Sequence, residues 1–245
     1  MTYIFIFIAP LLNFLLFESF FFKAGLFYAA LAVSDILLLI AVRQISGRRI
    51  TSLEFWNFSI FPVLFSTALA AYSLFVVNQL ITQILFAVSL CFNYLYLKNI
   101  YRGERHEFLE SISSFGNLLT MFFSFSVIYG MASFLGWPIW ILSLGSTGAA
   151  LLVIYQIFWA IRIRNANTLA FIMLIGLLLT QLVWAIYFLP FNFNALGLIA
   201  TVCYYLIIGL VKLSLAEKLT SRSLKFYLAL GILFFALIFL TAKWA

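Results

Sequence analysis

Asp35 is the one acid in the apolar stretch AGLFYAALAVSDILLLIAV, which runs from Ala24 to Val42. A carboxylate near mid-bilayer costs about 2.5 to 3.5 kcal/mol on insertion scales, and each Leu, Ile, Phe or Val around it returns about 0.3 to 0.6 kcal/mol. Ten such residues share the stretch, so the segment inserts and carries its acid with it. An acid held in hydrocarbon either relays protons or cations or hydrogen-bonds to a neighbouring helix. Arg43 lies about 12 Å further along the same helix, too far for an easy direct pair.

Other polar groups accompany it. Glu18 lies five residues before Lys23, within reach of the membrane interface if its side chain extends along the helix. Asn13, Gln83, Asn93, Asn117, Gln156 and Gln181 are spread over several apolar segments. They either face a common polar interior or make isolated interhelical hydrogen bonds of about 0.6 to 2 kcal/mol each. Asp35, Glu18, Asn93, Asn117 and Gln181 form the candidate intramembrane polar site.

Catalytic and metal chemistry find little support. Glu104, His106, Glu107 and Glu110 are the nearest approach to a metal cluster. A zinc site wants three or four good ligands, and the chain has a single His and no Cys in a loop. The group reads instead as a solvated helix start, with Glu107 and Glu110 facing the positive end of the helix dipole. Cys91 and Cys203 fall near the middle of apolar segments and read as small buried hydrophobes. The chain contains no HExxH, GxSxG or phosphate-binding Walker loop, and no Asp-rich pair for magnesium. No lysine sits deep in a late helix, where a retinal Schiff base would need one. No catalytic residue, metal or cofactor is expected, and an enzyme acting on lipid is a weaker alternative.

The elements that position these residues follow from composition. Apolar residues make up 66% of the chain and charged residues 9%, far from the soluble balance of roughly half and a quarter. This predicts an all-α, polytopic membrane helix bundle forming one membrane domain over residues 1–245, without a soluble domain. The first apolar run has no preceding Lys or Arg and no cleavage site after it, so it is expected to remain as a helix. The net charge of +7 is assigned to helix ends facing anionic headgroups on the cytoplasmic side, with no nucleic-acid partner. Membrane lipids, and a further membrane protein, are the expected partners.

A crossing needs about 20 apolar residues, and nine segments meet that length. They run from Thr2 to about Phe21, then to Val42, Phe55 to Val77, and on to Leu97. The rest are Ser113 to Leu135, on to Ile161, Thr168 to Leu189, on to Leu213, and Leu224 to Ala242. The polar stretch from Lys98 to Ser111 is expected to be the longest loop. With a cytoplasmic N-terminus, twelve Lys and Arg residues fall inside and only Lys23 and Lys243 outside, a strong positive-inside pattern. The C-terminus is then outside, in what we expect to be a prokaryotic inner membrane. Thr51 with Glu54 reads as a capping box, and Ser221 or Ser223 as the cap of the ninth helix. Small residues four apart, such as Ser66 with Ala70, Thr67 with Ala71, Gly176 with Thr180 and Gly197 with Thr201, read as packing seams.

The expected function is a small transporter-like or permease-like bundle for an ion or small solute, with Asp35 as the ion or proton site. The alternative is a non-transporting membrane subunit or lipid-interacting scaffold.

Overall fold

The computed structural model describes residues 2–102, 106–160, 168–215 and 219–241. Among them are nine long helices and no strand: α1 (Thr2–Phe22), α2 (Phe27–Ser46), α3 (Leu53–Ser73), α4 (Gln79–Arg102), α5 (His106–Leu135), α6 (Ile139–Ala160), α7 (Thr168–Ile186), α8 (Phe193–Leu215) and α9 (Ser221–Thr241). Each contains a stretch long and apolar enough to cross a bilayer. The protein is an all-α, multi-pass membrane protein. Helices are the economical solution here, because every backbone N–H and C=O must find a partner where water is absent.

Two compact units divide the chain. One is Met1–Thr120 with Trp159–Ile161, and the other is Met121–Phe158 with Arg162–Ala245.

In the first unit α1 packs against α2 and α4, and α3 packs against α2 and α4. Aromatic pairs set the register of α1 on α4. Tyr3 meets Tyr101, Phe7 meets Tyr94 and Phe17 meets Phe86, with ring centroids 5.6, 5.0 and 5.4 Å apart. As the number rises on α1 it falls on α4, so the two are antiparallel. The same holds for α3 and α4, where Phe61 meets Tyr96 and Phe65 meets Phe92.

Pro62 lies inside α3. It has no N–H, so the carbonyl of Phe58 one turn earlier loses its helical donor. Tyr96 on α4 supplies one: its hydroxyl donates to Phe58 O at 3.1 Å. Proline is tolerated at this depth because a neighbouring helix satisfies the carbonyl it releases.

Helix ends show where local chemistry differs from the sequence expectation. The cap of α3 is Ser52, not Thr51: Ser52 Oγ accepts from Phe55 N at 3.3 Å, and Glu54 pairs instead with Arg48 at 2.9 Å. The cap of α9 is Thr220, whose Oγ1 accepts from Ser223 N at 3.2 Å. Asn78 and Asn192 cap α4 and α8 through their side-chain oxygens. α2 runs on to Ser46 and stops at Gly47, whose φ of 64° only glycine adopts freely and whose N–H reaches Arg43 O at 3.1 Å. α4 likewise continues to Arg102 and α5 begins at His106, so most of the polar stretch from Lys98 to Ser111 is helical rather than loop. A helix satisfies its own backbone and can extend beyond the hydrocarbon without cost.

In the second unit α8 packs on α7 and α9. Gly197 on α8 lets α8 approach the Ser126 backbone of α5, and Gly176 on α7 faces Leu151 of α6. Tyr129 on α5 donates to Val183 O of α7 at 2.9 Å, and Thr147 and Thr180 share a hydrogen bond between α6 and α7. Gly145 and Gly148 have no atom within 4 Å of where a Cβ would stand, so that small-residue run is not a tight seam. Only Gly231 and Ile238 are buried on α9. Cys91 is exposed and Cys203 half-buried. The expectation that both are buried fails for Cys91, which lies on the outward side of α4, and is met only in part by Cys203.

Candidate functional site

A layer of interhelical polar pairs, set on adjacent residues of α2 and α3, crosses α1 to α4 near mid-helix. Asn13 Nδ2 on α1 donates to Ser34 Oγ on α2 at 2.5 Å. The next residue, Asp35, receives the Thr67 hydroxyl of α3, which lies 3.2 Å from each carboxylate oxygen. Beside Thr67, Ser66 Oγ accepts from Asn93 Nδ2 of α4 at 2.9 Å, and Asn93 is also 3.4 Å from Ser89 Oγ.

Helical geometry explains the arrangement. Successive residues point about 100° apart around a helix axis, so a polar pair lets one helix address two neighbours. Ser34 serves α1 while Asp35 serves α3, and Thr67 serves α2 while Ser66 serves α4. The four α2 and α3 residues lie roughly 16 to 21 Å from the helix ends at Ser46 and Leu53 at 1.5 Å per residue, about the middle of a 30 Å hydrocarbon core. Asn13, Ser34, Ser66, Ser89 and Asn93 are all at most 1% exposed, and Asp35 and Thr67 are half-buried.

The Asp35 interaction is open at one side chemically. A hydroxyl has one proton, and here it is shared between two oxygens at a distance longer than the usual 2.7 to 2.8 Å for O–H···O bonds. The carboxyl group therefore keeps capacity for a further proton or cation.

The remaining members of the sequence-predicted site are placed differently. Glu18 on α1 is joined to α4 about one turn from the helix ends: Gln83 Nε2 donates to Glu18 Oε2 at 3.1 Å. Glu18 Oε1 is buried and accepts nothing from the described residues. Asn117 is 1% exposed on α5 in the same unit, next to Gly116, where α5 meets Phe61 of α3. Gln181 belongs to the second unit and its side chain is exposed on α7. The structure thus brings Asp35 and Asn93 into one layer through Thr67 and Ser66, and it pairs Glu18 with Gln83.

Ser34, Ser66, Thr67 and Ser89 are absent from the site expected from sequence, where the spacing of Ser66 and Thr67 reads as packing seams. The signal available was the adjacent polar pair in mid-segment, Ser34-Asp35 and Ser66-Thr67. Glu104 and the side chains of His106, Glu107 and Glu110 lie outside the described residues. Among the described residues no three His, Cys, Asp or Glu side chains group as a metal site would require.

No curated protein matches the chain. No solved structure matches it. A family model described as a protein of unknown function, DUF5656, matches residues 10–241, and the chain belongs to that family.

Proposed function

We propose that the protein is a small transporter-like or permease-like bundle that moves an ion or small solute, with Asp35 as the group that carries the ion. The observation that carries this reading is the Asp35 carboxyl at mid-helix, held by a single shared hydroxyl within a polar layer of four helices. A layer built only to pack helices would not need an ionisable group, because Ser, Thr and Asn make the same interhelical bonds at lower cost in hydrocarbon. The N-terminus is cytoplasmic in this reading, the membrane is a prokaryotic inner membrane, and the basic helix ends meet anionic headgroups.

Reconstitution tests it. Liposomes containing the wild-type protein should show proton, alkali-cation or solute flux above protein-free liposomes, and Asp35→Asn should reduce that flux at least tenfold, the order expected when one essential group is removed. Equal flux in wild type and Asp35→Asn would remove Asp35 from the mechanism.

Gln181 favours a second reading, a non-transporting subunit of a membrane complex. An amide exposed on an apolar span is better satisfied against a helix of another chain than against lipid. Co-purification of a fixed membrane partner, lost with Gln181→Leu and accompanied by no flux, would favour it.

A further inference from the structure

Asp35 stands at the edge of its layer, not in its interior. Asn13, Ser34, Ser66 and Asn93 are at most 1% exposed, whereas Asp35 and its partner Thr67 are half-buried. The partial exposure continues along both helices, through Leu31, Asp35 and Leu39 on α2 and through Leu64, Thr67 and Ala71 on α3. Three- and four-residue spacing places each set on one face of its helix. The Thr67 hydrogen bond joins the two faces, so they border a seam that is open along its length within the first unit. Ile36, beside Asp35, is 57% exposed. In a membrane-spanning helix pair, what lies outside this seam at the level of Asp35 is hydrocarbon.

A carboxyl group beside hydrocarbon must be paired with a cation or be neutral. Among the described residues no cation lies within ion-pair distance of Asp35. On α2 itself Tyr28 and Arg43 are each about two turns away. The helices packed against α2 are α1, α3 and α4, and their titratable and charged groups stand elsewhere. Tyr3 and Glu18 lie near the two ends of α1, and Glu54 and Tyr72 near the two ends of α3. On α4, Cys91 is exposed, the Tyr94 ring packs on Phe7 and the Tyr96 hydroxyl bonds to Phe58 O, with Lys98, Tyr101 and Arg102 in the last turns.

The one partner Asp35 has suits a proton better than a metal. A hydroxyl both donates and accepts, so Thr67 can donate to the carboxylate and, after rotation about its C–O bond, accept from the protonated acid. Both states keep their hydrogen bond. A metal ion would meet only the two Asp35 oxygens and the Thr67 hydroxyl here, fewer than the about six oxygens that hard cations gather. We propose that Asp35 is a proton-binding site, neutral when it faces lipid and reached from the hydrocarbon through the α2–α3 seam rather than from a water-filled interior. The proton adds to one carboxylate oxygen, and the Thr67 hydroxyl turns from donor to acceptor. This deepens the transport reading by naming the ion and rests on its choice of Asp35, but protonation and access are measurable without flux.

The test is carbodiimide modification of the full chain in liposomes of mixed orientation, mapped by peptide mass spectrometry. A neutral carboxylic acid gives its proton to a carbodiimide nitrogen while its oxygen adds to the central carbon, and the O-acylisourea rearranges to a stable N-acylurea on the same residue. Dicyclohexylcarbodiimide dissolves in the bilayer and should mark Asp35, with less adduct as the pH is raised. A cationic, water-soluble carbodiimide with an added amine should mark Glu54, exposed at the start of α3, and leave Asp35 unmarked. Ala71→Phe, whose ring would lean over the seam toward Thr67, should remove most of the Asp35 adduct and leave that on Glu54 unchanged. The comparison of the two reagents on the wild type carries the test if Ala71→Phe does not fold. Asp35 adduct from both reagents would overturn the lipid route, as would adduct indifferent to Ala71→Phe. No adduct from either reagent at acid pH would overturn the neutral site. Dicyclohexylcarbodiimide adduct at Asp35 without flux retains the proton site and rejects transport. Flux that needs Asp35 but follows an alkali cation, with no adduct, rejects the proton site and retains transport.

Discussion

Thr67 on α3 donates one hydroxyl proton to both carboxylate oxygens of Asp35 on α2, each at 3.2 Å. Because Ser34 precedes Asp35 and Ser66 precedes Thr67, this bond is the central link of a chain that runs from Asn13 on α1 to Asn93 on α4. It joins two helix pairs that would otherwise meet through apolar contacts and aromatic rings.

The caps separate local rules from the observed geometry. Ser52→Ala removes the side chain that accepts from Phe55 N and should lower stability by about 1 kcal/mol. Thr51→Ala should change it by no more than a few tenths, within the range of ordinary surface substitutions. Unfolding midpoints of the two variants in one detergent check this, and the reverse ranking would place the cap at Thr51.

Two glycines on late helices should behave in opposite ways. A Cβ on Gly197 would stand 2.9 Å from the backbone N and Cα of Ser126, atoms that cannot rotate away, so Gly197→Ala should destabilise by about 1 to 3 kcal/mol. Gly145 has open space around it. Gly145→Ala should be neutral or stabilise by up to about 1 kcal/mol through helix propensity. Paired unfolding curves read the difference directly.

Tyr96 and Pro62 should be coupled. Tyr96→Phe leaves the Phe58 carbonyl without the donor that Pro62 cannot provide, at a cost of about 1 to 3 kcal/mol. In a Pro62→Ala background the backbone N–H returns, and the same Tyr96→Phe change should cost markedly less. Equal costs in the two backgrounds would show that Tyr96 does not compensate for the proline.

Much of the fold was legible before any coordinates. Nine segments emerge from hydrocarbon length alone, and all nine appear as helices, most of them within a few residues of the expected bounds. The larger errors lie at the ends of α2, α4 and α5. There the helix outlasts its apolar residues, because intrahelical bonds do not depend on hydropathy. The site was half legible. Asp35 stands out because a lone acid in an apolar run is costly, and Asn93 because amides are scarce there. Ser34, Ser66 and Thr67 did not, because Ser and Thr are tolerated anywhere in a membrane helix by bonding to their own backbone. Thr120 and Thr201 do that, donating to Gly116 O and Gly197 O. Only the pairing of α2 with α1 and α3 shows which hydroxyls face an acid or an amide.

Orientation is open to a direct check. An alkaline phosphatase fused after Gly47 should be inactive, and one fused after Val77 active, if the arginine-bearing ends face the cytoplasm as the twelve-to-two charge division requires. The opposite pattern would invert the proposed topology.

The most direct test of the Asp35-centred layer is a double-mutant cycle on Asp35→Leu and Thr67→Val, read from unfolding free energies in one detergent. The account predicts a coupling of about 0.6 to 2 kcal/mol, the range of interhelical hydrogen bonds in membranes. Thr67→Val should be costly beside Asp35 and nearly silent beside Leu at that position. Strict additivity of the two substitutions would contradict the layer, and the ion-carrying role built on it would lose its structural basis.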